Sequence, residues 1–265
     1  MKHVETQEVN MERMIKNFKR ALKKNIFYKT KVVNLGISDI CNYTSIHPQC
    51  PTSKMKKNIM PLAFIEKIAK KLGESGYDRL LSPYGYSEPL IDPRFYVILD
   101  ILRKNVPNAR LGFISNGFFL YETIMDDVIE RGVSHIQTTA YFADEYDRLN
   151  KLKIKIKKKY PSVLFRVIKG FPLRKRMCDK YSIYGGEPNN SKLGCRAPYR
   201  YVHISSYGDV ILCCNDWKGM VSFGNLKDKT LEEIFLSNKM MKMGLNLLMG
   251  NREKYFLCSR CYRNK

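Results

Sequence analysis

The 265-residue sequence predicts an α/β protein, with a partial barrel of βα units followed by a small C-terminal unit made of a β-hairpin and a helix. Before residue 170, five short apolar runs alternate with segments of helical periodicity, a pattern typical of a parallel sheet with crossover helices. Beyond residue 195 the pattern changes to two short strands around a turn, followed by an amphipathic helix. Five strands are too few to close an eight-stranded barrel, so we expect a partial (β/α)6 barrel, with the sixth strand near residue 183 as the open alternative to five.

This pattern divides the chain into four segments. Residues 1–29 are a leading helix, because apolar side chains recur at helical spacing between residues 9 and 25. Residues 30–170 form the partial barrel. Residues 171–194 are polar and contain Gly185, Gly186 and Pro188, so we interpret them as a linker that could carry substrate contacts. Residues 195–265 form the C-terminal unit.

The elements of the barrel follow in order from the hydrophobic pattern. We predict strands over about 32–37, 79–82, 111–114, 135–139 and 163–168, and helices over about 61–73, 93–104, 121–131 and 143–159. The first helix has Pro61 at an early position, where the missing N–H is not needed. Glycine follows or ends several helices, as Gly132 does.

Composition indicates a globular protein with a strongly basic surface. There are 47 basic and 25 acidic residues, a net charge of +22, and 44% hydrophobic residues. The basic residues are spread along the chain, so a solvated lysine-rich surface is favoured over a nucleic-acid site, which remains the alternative. No apolar run approaches the roughly 20 residues of a membrane span. The first residues also lack the apolar core of a signal peptide, and we therefore expect a cytoplasmic protein with no membrane partner.

The eight cysteines predict metal binding more than disulfides in such a protein. Seven of them fall in two groups, at 41–50 and at 195–261, and Cys178 stands apart as a spare thiol. The first group follows a predicted strand and contains Cys41, His47 and Cys50. Thiolate and imidazole are ligands that iron and zinc select, and three ligands leave a coordination position open for chemistry.

The first group resembles the cluster loop of the radical S-adenosylmethionine (SAM) enzymes, whose usual pattern is C-x3-C-x2-C. Cys41-Asn42-Tyr43 matches its beginning and Cys50-Pro51 its end. The resemblance implies a [4Fe–4S] cluster whose fourth iron binds SAM. Here the loop is longer, and His47 stands where the family has its middle cysteine. Either His47 is a ligand, as histidine is in Rieske centres, or it is an ordinary loop residue and the cluster is weak or absent.

Three further stretches resemble SAM-binding segments of the same family, each at the end of a predicted strand. Tyr84 to Leu90 is similar to its Gly-Gly-Glu-Pro segment, although Ser87 replaces a glycine and Tyr86 intervenes. Ser115-Asn116-Gly117 is similar to its Thr-Asn-Gly turn, and Thr138 and Thr139 lie at the end of the next strand. The residues that the resemblance implies for cofactor binding are Gly85, Ser87, Glu88, Ser115, Asn116 and Thr138.

The second cysteine group is the most specific part of the sequence. Cys195 precedes a strand, Cys213 ends the return strand of the hairpin, and Cys258 and Cys261 form a C-x2-C pair. With Gly224-Asn225-Leu226 and an amphipathic helix, this order resembles the SPASM/Twitch domain, which implies an auxiliary [4Fe–4S] cluster. The residues alone also allow a four-cysteine zinc ribbon, and Cys214 is the alternative to Cys213.

The resemblance implies a radical SAM oxidoreductase that is similar to the aminocyclitol dehydrogenases of this family. Its substrate would be a small polar molecule, such as an aminocyclitol or sugar, and the auxiliary cluster would accept an electron. An external donor of flavodoxin or ferredoxin type is implied as partner. Tyr184 is a candidate substrate contact in the linker. Alternatives are an epimerase or peptide-modifying enzyme, a zinc-binding nucleic-acid protein, and a pseudo-enzyme without the first cluster.

Overall fold

The computed structural model describes residues 2–46, 50, 52, 55–170, 188 and 192–261, with side chains from residue 12 onward. The strands are β1 (Val32–Leu35), β2 (Leu80–Ser82), β3 (Arg110–Ser115), β4 (Val133–Ala140), β5 (Leu164–Lys169), β6 (Tyr201–Ile204), β7 (Asp209–Ile211) and β8 (Ser222–Asn225). The helices are α1 (Lys2–Lys24), α2 (Leu62–Glu74), α3 (Phe95–Asn105), α4 (Glu122–Glu130), α5 (Ala143–Lys159), α6 (Ala197–Arg200), α7 (Leu231–Leu236), α8 (Asn238–Leu248) and α9 (Phe256–Ser259). Short 3-10 turns lie at Pro89–Ile91 and Arg252–Lys254.

All eight strands belong to one sheet, in the order β5-β4-β3-β2-β1-β6-β7-β8. The first five strands are parallel and each is joined to the next through a helix, so the α/β class and the partial barrel are confirmed. Alternate residues of β1, such as Val33 and Leu35, are fully buried, as expected where a strand packs against helices. In α2 the buried stripe is Ile65, Ile68, Ala69 and Leu72.

The sixth parallel strand comes from the C-terminal segment. β6 pairs in parallel with β1, with Val32 opposite Tyr201 and Leu35 opposite Ile204. It therefore extends the sheet on the β1 side, and the sheet runs across the predicted boundary between residues 194 and 195. A sixth strand near residue 183 was the open alternative, and that position lies outside the described residues.

The C-terminal segment contains the predicted hairpin and more structure than predicted. β6 and β7 are antiparallel, and β7 pairs in turn with β8, which the sequence analysis did not identify. Thr230 and Glu233 form the expected capping box at the start of α7. The additional helix α8 packs against α1 and carries a buried row that includes Met240, Met241 and Leu247. Within the described residues, no helix is both long enough and apolar enough to cross a membrane.

Candidate active site

The first cysteine group lies at the carboxyl ends of the parallel strands, in the segment after β1. The Cys41 thiol is half-buried, and burial raises its pKa, with the neighbouring thiol of Cys50 adding to the effect. The Asn116 amide nitrogen lies 3.9 Å from Cys41 Sγ and donates to the Asn42 side chain at 2.7 Å. Cys50 Sγ lies 3.4 Å from the Thr52 hydroxyl, which donates to the Tyr86 carbonyl. His47 lies outside the described residues, so its role as a ligand stays a prediction.

A buried carboxylate links the loops that follow β2 and β3. Glu88 is 1% exposed and accepts hydrogen bonds from the Ser115 hydroxyl at 3.0 and 3.1 Å and from the Asn116 N–H at 2.6 Å. Burial raises the pKa of Glu88 to about 7, although these donors oppose the shift. Because parallel strands end at the same edge, three of the residues selected from the sequence meet at one point.

Two hydroxyls near this point are buried without a protein partner. Within the described residues, neither Ser87 Oγ nor Thr138 Oγ1 has a hydrogen-bond partner. A Cβ on Gly117, where φ is +86°, would lie only 2.6 Å from Thr138 Oγ1, so glycine is required beside this hydroxyl. Buried polar atoms normally have hydrogen-bond partners. Two buried hydroxyls without partners, next to an acidic side chain, suit a polar ligand with cationic groups. SAM has this chemistry, and these residues fit it.

Backbones approach closely where β1, β6 and the loop after β2 meet. A Cβ on Gly85 would lie 3.0 Å from Gly36 Cα, and a Cβ on Gly36 would lie 3.0 Å from the Ile204 carbonyl oxygen. Gly36 N–H donates to that carbonyl at 2.8 Å. Gly85 therefore brings the loop with Ser87 and Glu88 against the end of β1, and larger side chains at either glycine would separate them.

The sequence analysis missed a contact that holds the cluster loop. The Tyr43 hydroxyl donates to the Glu145 carboxylate at the start of α5, and Glu145 also accepts from the Tyr141 N–H at 3.0 Å. The Tyr43 ring packs edge-on against Tyr141 and Phe118. Tyr43 follows Cys41 by two residues, but its partner is 102 residues away, and no local pattern indicates the pair.

The second cysteine group comes together from three parts of the chain. Cys195, Cys213, Cys258 and Cys261 form no disulfide within the described residues, and all four pack against the core. Burial raises the pKa of Cys258 to about 12, with Cys195 and Cys261 adding to it. Burial also raises the pKa of Cys213 well above its usual range, with further contributions from the thiols of Cys214, Cys258 and Cys261, that of Cys214 being the largest. The buried thiols of Cys213 and Cys258 resist ionisation by themselves, and a bound metal would stabilise their thiolate forms.

Asn215 connects two of these thiols, which the sequence analysis did not anticipate. Its N–H lies 3.4 Å from Cys213 Sγ, and its side-chain nitrogen lies 3.5 Å from Cys261 Sγ. The alternative, Cys214, contacts Asn215 Oδ1 at 3.9 Å and its carbonyl accepts from Tyr86. In the described part of the chain, no three His, Cys, Asp or Glu side chains are placed to ligate one single ion. Cysteines around a [4Fe–4S] cluster each bind a different iron, so this observation does not weigh against a cluster.

A cavity of about 580 Å³ is lined in part by residues close in sequence to each cysteine group, such as Asp39 and Trp217. One wall contains Tyr84 and Gly85 from the loop after β2, and another contains Trp217 and Lys218 from the segment that follows Cys213. Its polar lining includes Asn34, Asp39, Lys56, His203 and Asp209. Two acidic and two basic side chains balance each other, and the volume is typical of a small-molecule site. Tyr184, the predicted substrate contact, lies outside the described residues.

The chain resembles known proteins both in its C-terminal segment and over most of its length. Residues 195–262 match the model of SPASM, an iron–sulfur cluster-binding domain. The chain is 22% identical over 244 residues to the S-adenosyl-L-methionine-dependent 2-deoxy-scyllo-inosamine dehydrogenase of Niallia circulans, covering 87% of this chain and 92% of that protein.

Two solved structures share the fold. The structure of BtrN in complex with AdoMet and 2-DOIA matches with a TM-score of 0.71 and 20% identity, over 88% of this chain and 93% of that one. BtrN in an open conformation, determined with selenomethionine, matches with a TM-score of 0.67 and 20% identity, over 88% and 92% of the two chains.

Proposed function

From a SPASM domain at residues 195–262, joined to a sheet with the fold of an AdoMet-bound enzyme, we propose that this protein is a radical SAM oxidoreductase. When bound and reduced by an external one-electron donor, the first cluster would cleave SAM to methionine and a 5′-deoxyadenosyl radical, a species that removes a hydrogen atom from a C–H bond. One observation carries the proposal. Asn116 donates from its backbone to Glu88 and from its side chain to Asn42, beside the Cys41 thiol, and so joins the candidate cluster loop to the candidate SAM site.

The residues divide into two metal sites and one SAM site. Cys41 and Cys50, with His47 as the proposed third ligand, would hold the SAM-binding [4Fe–4S] cluster. Cys195, Cys213, Cys258 and Cys261 would hold the auxiliary cluster. Glu88, oriented by Ser115 and the Asn116 N–H, would receive the amino group of SAM, with Gly85 allowing the close approach and the Ser87 and Thr138 hydroxyls available to the ligand.

The reaction that suits this arrangement is the dehydrogenation of a small polar molecule such as an aminocyclitol or sugar. The 580 Å³ cavity supports this class, because its carboxylates and ammonium groups balance and its amide and imidazole can bind hydroxyls. Asn34 and His203 are register partners on β1 and β6, so they present their side chains on the same face of the sheet. An auxiliary cluster with four cysteines has no open iron for substrate, so it would accept the electron that oxidation releases.

Metal analysis and SAM cleavage test the proposal together. Anaerobically prepared protein should contain about eight iron and eight sulfide per chain, the sum of two [4Fe–4S] centres. With a strong chemical reductant it should convert SAM to 5′-deoxyadenosine. Replacing Cys258 and Cys261 with Ala should remove about half of the iron, and replacing Cys41 and Cys50 should remove the other half. Stoichiometric zinc without iron would contradict the proposal.

A further inference from the structure

A groove of about 740 Å³ opens at the amino ends of the strands, on the side opposite the candidate active site. Lys31, Arg79 and Arg200 each stand directly before a strand, and Arg110 is the first residue of β3. Six cationic side chains line the groove: Lys29, Lys31, Arg79, Arg110, Arg196 and Arg200. None of the described lining residues is acidic.

Most of this charge is not compensated within the protein. In the described part of the chain, Arg79 pairs with Asp78 at 3.1 Å, and the other five cations have no ion pair. All except Arg200 are exposed. The backbone beneath them is fixed, because Lys31 N–H donates to the Arg200 carbonyl at 2.9 Å and Arg110 N–H donates to the Arg79 carbonyl at 3.0 Å. A cluster in which five of six cations lack an ion pair among the described residues, carried on a fixed backbone, is the electrostatic counterpart of an acidic partner.

The groove adjoins the second cysteine group. Arg196 follows Cys195 directly, so their Cα atoms are about 3.8 Å apart. Leu248 also lines the groove, and the preceding residue, Leu247, accepts a 2.6 Å hydrogen bond from Cys195 N–H. An acidic protein bound here would therefore lie next to a candidate ligand of the auxiliary cluster.

We propose that this groove docks an acidic one-electron carrier protein that collects the electron from the auxiliary cluster, an inference that rests on the proposed dehydrogenation. Oxidising a secondary alcohol removes one hydrogen atom to the deoxyadenosyl radical, one proton to water and one electron. That electron reduces the auxiliary cluster, which must then pass it to an external one-electron carrier.

Single-stranded nucleic acid is less suited to the groove. Such strands stack their bases on several aromatic rings, whereas only one of the three aromatic residues in the groove, Tyr28, is exposed.

Binding of oxidised flavodoxin to the cluster-loaded protein tests the docking site. The groove variant Lys29→Glu/Lys31→Glu/Arg110→Glu should weaken binding about tenfold or more at low salt, and wild-type binding should weaken as salt rises. The matched control is Lys151→Glu/Lys153→Glu/Lys158→Glu, which changes the net charge equally at exposed positions of α5. It should bind as wild type does. The rate at which flavodoxin oxidises the dithionite-reduced protein, measured by stopped-flow absorbance, should fall in the groove variant and stay unchanged in the control variant.

Iron content and the midpoint of thermal unfolding show whether each variant is folded and loaded with its clusters. If the charge-reversed groove variant does not fold, the neutral variant Lys29→Gln/Lys31→Gln/Arg110→Gln takes its place. Equal weakening in groove and control variants would overturn the proposal, and so would unchanged flavodoxin binding. Groove-dependent binding of single-stranded DNA or inorganic phosphate without flavodoxin binding would assign the groove to a different anion. If flavodoxin binding depends on the groove but the protein does not cleave SAM in the presence of dithionite, the docking site stands and the proposed function is wrong.

Discussion

The Ser206 hydroxyl donates a 2.5 Å hydrogen bond to the Asp39 carboxylate, and both residues are buried. Asp39 lies between β1 and the first cysteine group, and Ser206 lies in the turn between β6 and β7. The pair therefore joins the segment that leads into the candidate cluster loop to the hairpin in the segment that matches the SPASM model. Burial raises the pKa of Asp39, while the bond to Ser206 acts in the opposite direction.

Removing this bond should destabilise the protein. In Ser206→Ala the buried carboxyl loses its donor, which should lower the free energy of unfolding by about 1–3 kcal/mol. The midpoint of urea unfolding under anaerobic conditions measures the loss. Asp147→Asn, at an exposed position of α5, is the control and should change the free energy by less than about 0.5 kcal/mol. A midpoint for Ser206→Ala equal to that of the control would contradict the expectation.

SAM affinity should depend on pH through Glu88. The pKa of this carboxyl is about 7 in the free protein, so binding the ammonium group of SAM below that pH requires loss of a proton. The dissociation constant should fall about tenfold per pH unit as pH rises toward 7 and should level off above it. Calorimetry on cluster-loaded protein measures this profile.

Glu88→Gln should bind SAM more weakly and without this slope. Glu232→Gln, at an exposed position of α7, should retain the wild-type profile. A slope that persists in Glu88→Gln would mean that another group titrates on binding.

The reduction potential of the auxiliary cluster should respond to Asn215. Hydrogen bonds to cluster sulfurs favour the reduced form, so Asn215→Ala, which removes the donor to Cys261 Sγ, should shift the potential to more negative values. A net 0.5–1.5 kcal/mol per hydrogen bond corresponds to about 20–65 mV for one electron. An anaerobic redox titration followed by electron paramagnetic resonance measures the shift. Asn251→Ala removes an amide contact to Asn246 and should leave the potential unchanged.

His47 can be tested independently of the auxiliary cluster. His47→Ala should lose about half of the iron and all cleavage of SAM, whereas His47→Cys should keep the cluster. Imidazole is neutral and thiolate is anionic, so His47→Cys should also lower the potential of the first cluster. Full iron content and an unchanged cleavage rate in His47→Ala would show that the histidine is an ordinary loop residue. A wild-type protein with only the auxiliary cluster would be a pseudo-enzyme.

Local patterns were sufficient to predict most of the elements. The helix predicted over 143–159 has those bounds in the structure, because its apolar period and its flanking residues agree. The meeting of Glu88, Ser115 and Asn116 was also predictable, since each follows one of a series of parallel strands and such strands end at one edge.

Pairing between distant segments could not be predicted in the same way. Periodicity identifies β6 as a strand but does not indicate that its neighbour is β1, and the contact between Asp39 and Ser206 depends on that neighbour. Asn215 was missed because its function follows from the approach of Cys261, 46 residues away. Strand β8 was not predicted because its four residues show little alternation of apolar and polar side chains and the third of them is glycine.

The pairing of β1 with β6 also affects how the chain folds. Val32 and Tyr201 are opposite each other across the sheet although almost the entire barrel separates them in sequence. During synthesis, β1 to β5 can assemble before β6 has been made, and until then the edge of β1 that pairs with β6 lacks that partner. Contacts of such long range are slow to form, and an open edge invites pairing with another chain. A chain truncated after residue 194 should therefore aggregate, and supplying iron and sulfide should not rescue it.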